Sequence, residues 1–60
     1  MIMTYNDAIQ WLALNEGPKW DQSSIYDLAD QPTIQLISFI YRKPVREVLV
    51  DYHYYRRHNS

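Results

Sequence analysis

The sequence predicts an all-α fold, a small three- to four-helix bundle. Three observations carry that expectation: apolar residues recur at helical spacing, oxygen-bearing side chains stand where helices start, and Gly or Pro stands where they stop. The 60 residues are 47% apolar and 15% aromatic, with one Gly and three Pro. That composition suits a packed domain rather than a disordered chain. Residues 1–60 are expected to form a single domain, because a chain this short buries only about 60% of the surface it exposes when unfolded.

The first helix is predicted over 4–15. Thr4 with Asp7 three positions on makes a variant of the capping box, and Tyr5, Ala8, Ile9 and Leu12 follow as one apolar stripe. Gly17 and Pro18 are expected to stop it, with Gly17 taking a left-handed cap conformation. Residues 19–24 read as a loop. Asp21, Ser23 and Ser24 offer caps for a second helix over 24–30, which carries Ile25, Leu28 and Ala29, and Trp20 is placed over its start as a hydrophobic staple.

Residues 33–41 are apolar almost all round, which fits a buried central helix or a buried strand. Their β-branched and aromatic content leans towards strand. A lone strand in an otherwise helical chain has no hydrogen-bonding partner, so the segment is assigned to helix. Pro44 suits the first position of a last helix over 44–57, with Val45, Val48, Leu49, Tyr52 and Tyr55 or Arg56 on one stripe at helical spacing. The expected core is Ile9, Leu12, Leu28, Ile37, Ile40, Val48 and Tyr52.

The join of the last two helices has the spacing of a helix-turn-helix. Counting from Ser38 as the small residue, Tyr41, Val48 and Tyr52 fall three, ten and fourteen positions on. Arg42 stands where such a turn usually carries Gly, at a cost on the order of 1 kcal/mol if it is left-handed. Asp51 lies near a position that is commonly apolar.

Charge is unevenly spread within a formal net of −1: residues 1–40 carry −4 and residues 41–60 carry +3. An anionic partner would meet the C-terminal third. There are no cysteines, which excludes disulfides, thiolate metal sites and a cysteine nucleophile. His53 and His58 are five apart, about 140° round a helix, and do not share a metal. The paired carboxylates Glu47 and Asp51 read as solvated charges near Arg46 and Lys43. A chain of this size leaves no room for a deep pocket, so neither catalysis nor a cofactor is expected. No apolar stretch approaches the roughly 20 residues that span a bilayer and no secretory leader is visible, so a cytoplasmic protein without membrane contact is expected.

The chain is similar to small phage-encoded helical proteins. The residues behind the resemblance are Thr4-Tyr5, Ala8-Ile9 and Trp11-Leu12-Ala13, then Leu36-Ile37, Pro44, Glu47-Val48, Asp51 and Tyr55-Arg56. The resemblance implies a phage or prophage origin, a bacterial host cell and a helix-turn-helix-like core.

Two functions compete. In a DNA-binding regulator the last helix would enter the major groove, with Arg46 reading guanine, His53 and Tyr54 further along, and Arg42, Lys43, Arg56 and Arg57 on phosphates. Val45, Leu49 and Val50 fit that role poorly, and the net charge of −1 opposes it. In a module that binds and modulates a host protein, Val50, Tyr54 and Arg57 form an amphipathic strip of the type found at interface centres. A homodimer is a further possibility, through an apolar patch around Trp11 and Trp20.

Overall fold

The computed structural model describes residues 3–58, and within them the fold is all-α. Its helices are α1 (Tyr5–Asn15), α2 (Gly17–Trp20), α3 (Ile25–Ala29), α4 (Pro32–Tyr41) and α5 (Val45–His58). The longest, α5, is the spine against which α1, α3 and α4 pack.

The local signals act as their chemistry requires. Thr4 Oγ1 accepts from the Asp7 backbone N–H at 3.1 Å and Asp7 Oδ2 accepts from the Thr4 N–H at 3.3 Å, so two orphan donors of α1 are satisfied reciprocally. Ser24 Oγ accepts from the Asp27 N–H at 3.2 Å and caps α3. Pro32 opens α4, where its missing N–H has no intrahelical partner. Residues 33–41 are helical: Ile34 and Ile37 are buried and Tyr41 packs beside them, a spacing no strand produces.

Four expectations are corrected. Gly17 does not end α1 in a left-handed conformation, since the only positive φ among the described residues belongs to Arg42. Instead Glu16 stays right-handed and Gly17-Pro18 open the one-turn helix α2 inside what reads as a loop. The Arg56 side chain lies directly over Gly17: a Cβ there would be 2.8 Å from its Cδ and Nε, so a larger residue would displace that flexible side chain. Pro44 precedes α5 rather than beginning it, and its carbonyl accepts from the N–H groups of Glu47 and Val48. Trp20 is buried with its ring edge-on to Tyr52 of α5, 5.6 Å between centroids, so it belongs to the core and not to an exposed patch.

The fourth correction concerns α4. Ile40 is 56% exposed and stands outside the core, together with Leu36 and Phe39 on the outer side of the helix. The molecule measures only 15 Å along its shortest axis. Helices pack 8–10 Å apart, so a body this thin covers one side of α4 and leaves the other open. The central helix is α5. The core comprises Ala8, Ile9, Leu12, Ala13, Trp20, Leu28, Ile34, Ile37, Val48, Leu49 and Tyr52.

The α4–α5 turn passes through Arg42 at φ 55° and ψ 45°, a left-handed cap made by a non-glycine residue. The Lys43 N–H donates to the Ser38 carbonyl at 3.0 Å, and the Ser38 hydroxyl donates to the Lys43 carbonyl. These bonds hold a conformation in which the Arg42 Cβ is crowded. Arg42→Gly is therefore expected to raise stability by about 1 kcal/mol, seen as a higher urea midpoint with an unchanged slope. A lower midpoint would show that the Arg42 side chain contributes more than the strain costs.

Candidate binding face

Five of the predicted site residues share one face of α5. Arg46, Val50, His53, Tyr54 and Arg57 are spaced so that they form a single stripe opposite Val48, Leu49 and Tyr52, which are buried. Burial of the inner set fixes the rotation of the helix and turns the outer set to solvent. Val50 is 64% exposed and Tyr54 59%. Val50, His53, Tyr54, Arg57 and His58 line a shallow depression of about 310 Å³. The Tyr54 and His58 rings lie 4.3 Å apart and tilted, and Tyr54 also meets Tyr55 edge-on at 5.9 Å. The Tyr54 ring is thus braced on both sides, which lowers the entropy lost when a partner covers it.

The other predicted residues are placed differently. Arg42 is exposed at the left-handed turn. Lys43 reaches back over the Tyr5 ring, 5.2 Å from its centroid, and its Nζ stands 3.9 Å from Glu47. Arg56 turns away from the strip. Its Nε and NH2 nitrogens donate to the two carboxylate oxygens of Asp21 at 3.0 and 2.6 Å, a bidentate clamp passing over Gly17. The hydrogen bond from Arg56 holds the Asp21 carboxyl below the usual carboxylate range, and the same bond raises the Arg56 pKa. Arg56 joins the last turn of α5 to the segment after α2.

Asp51, which stands near a commonly apolar position, accepts a 2.6 Å hydrogen bond from the Tyr5 hydroxyl and ties α1 to α5. Burial pushes the Tyr5 phenol well above its ordinary range, helped by the hydrogen bond and by the charges of Asp51 and Glu47. Glu47 and Asp51 therefore serve Lys43 and Tyr5. No group of three or more His, Cys, Asp or Glu among the described residues could hold a metal ion.

One surface was not anticipated in full. Between α1 and α4 runs an apolar groove of about 310 Å³ that includes Met3, Trp11, Leu36, Ile37 and Ile40. Trp11 carried a signal as an exposed aromatic. Leu36 and Ile40 did not, because an uncharged helix reads as a buried one.

Compared with known proteins, the chain matches no family model, no curated protein and no solved structure. No helix of the described residues is long and apolar enough to cross a membrane.

Proposed function

We propose that this chain is a small non-enzymatic binding module that docks a protein partner on the outer face of α5. The observation that carries the proposal is the exposure of Val50 and Tyr54 at the centre of the stripe, with Arg46, His53 and Arg57 around them. An apolar and aromatic centre with a polar rim is the composition of interface hot spots, in which Tyr and Arg are enriched. The partner surface has an apolar anchor site bordered by carboxylates, complementary to that rim. Phosphate is a poorer match: of the six basic residues, Lys19, Lys43 and Arg56 are paired with Glu16, Glu47 and Asp21.

The second reading is a helix-turn-helix DNA-binding unit made of α4 and α5. The left-handed Arg42 between them favours it, because such units turn through a residue of that conformation. Arg46 would then read bases from the first turns of α5.

Capture from bacterial lysate, with and without nuclease, tests both readings. For a protein partner, Val50→Asp and Tyr54→Ala lose the captured band whether or not nuclease is present, each by about 2 kcal/mol or more in binding. A band that nuclease removes, and that Arg46→Ala weakens most, would overturn the protein reading and support DNA. Retention of the band by Val50→Asp and Tyr54→Ala, with or without nuclease, would move the docking face away from α5.

A further inference from the structure

Given the protein-binding reading of the outer face of α5, on which this rests, we infer that the partner docked there is itself a helix, amphipathic and acidic at both ends of its contact stripe. Arg46, Val50, His53 and Arg57 follow one another at intervals of four, three and four residues. That alternation is the spacing at which one helix presents a straight seam to another. All four residues are exposed, and Tyr54, one turn on from Val50, widens the seam at its middle.

The fold narrows the occupant. Among the described residues there is no strand, so no sheet edge is open to an added strand. What α5 offers is a helical ridge beside a shallow depression lined by Val50, His53, Tyr54, Arg57 and His58, and a ridge of a second helix fits such a groove.

Charge excludes a second copy of α5. Both ends of the seam are arginines. A parallel pair would set each arginine against its own counterpart, and an antiparallel pair would set Arg46 against Arg57. The carboxylates of the same helix do not relieve this, because Glu47 stands by Lys43 and Asp51 accepts from the Tyr5 hydroxyl. A helix with a carboxylate facing each arginine and an apolar side chain against Val50 and Tyr54 complements the whole seam. Eleven residues separate Arg46 from Arg57, about 16 Å along the axis, so the partner's acidic positions stand three turns apart. A seam this short makes a weak, transient contact.

The probe is a synthetic amphipathic peptide of about 20 residues, long enough to hold a helix alone, with glutamates eleven positions apart and leucines between them on one face. Titrated into the full chain, it is expected to shift the amide resonances of Val50, His53 and Tyr54, gain helicity, and bind less as salt rises. A counterpart with lysines in place of the glutamates should bind about tenfold more weakly or worse. Arg46→Glu should reverse that preference and Arg46→Gln should shrink it, both with helix content unchanged because Arg46 is exposed. The acidic peptide with a proline at its centre should not bind. Equal binding of the acidic and basic peptides would overturn the inference. So would binding of the proline peptide at full strength, or no binding of the acidic helix at high micromolar concentration. Capture from lysate separates these failures from that of the underlying reading: a band still lost on Val50→Asp and Tyr54→Ala keeps the face as a docking site and removes only its helical occupant.

Discussion

Tyr52→Ala is expected to leave the chain unfolded at room temperature. Tyr52 is 1% exposed and is the largest of the fully buried side chains. Its ring stands edge-on to Trp20, 5.6 Å away at 65°, and meets His53 at 5.2 Å. Removing a buried aromatic ring costs about 3–5 kcal/mol. An unstapled core of this size supplies only about 3–5 kcal/mol in total. Far-ultraviolet circular dichroism should lose its helical signal, and Trp20 emission should move to that of a solvated indole. Tyr52→Phe keeps the ring and should keep the fold. A cooperative melt of the alanine variant near the parent's would show that the Trp20 contact is dispensable.

Alkali is expected to destabilise the protein through two of its tyrosines. The Tyr5 phenol is raised by burial and then by Asp51, and that of Tyr52 by burial and then by the charge of Asp21. A raised folded-state pKa stabilises the fold fully below the unfolded tyrosine value of about 10. Above it the unfolded chain ionises while the folded chain holds its protons, so the unfolded state binds fewer protons and stability falls as pH rises. Each phenol held protonated contributes a slope of up to about 1.4 kcal/mol per pH unit. Denaturation followed between neutral and strongly alkaline pH should show the loss setting in near the unfolded tyrosine pKa. Tyr5→Phe should make that loss shallower. An unchanged profile in the variant would mean that Tyr5 ionises alike in both states.

The elements that could be read from the sequence are those whose cause is local. Thr4, Ser24 and Pro32 each act on backbone groups within three residues, so their effect does not depend on the rest of the fold. The left-handed turn at Arg42 belongs with them, because the Ser38 and Lys43 bonds that hold it lie within one turn. Periodicity likewise oriented α5, and with it the face of Arg46, Val50, His53, Tyr54 and Arg57. Ile40, Trp20 and Gly17 depend on distant partners. Hydrophobicity marks Ile40 as able to be buried but does not say whether a second layer exists to bury it. Gly17 stands out as a breaker, whereas in the structure it begins α2 and lies under the Arg56 side chain, far away in the chain. The pairing of Arg56 was hidden for the same reason, since its partner Asp21 is 35 residues distant.

The pairing of α1 with α5 also bears on how the chain acquires its fold. The Tyr5–Asp51 hydrogen bond joins residues 46 apart, and the two helices share the most extensive packing in the molecule. The entropy of closing so long a loop must be met before those contacts reward it, so local pairs such as α4 with α5 form first and the α1 seam closes last. During synthesis the consequence is sharper. Until α5 has cleared the ribosome, α1, α3 and α4 have no spine to pack on, and the nascent chain holds no stable folded part. Loss of α5 would therefore abolish the whole structure rather than shorten it.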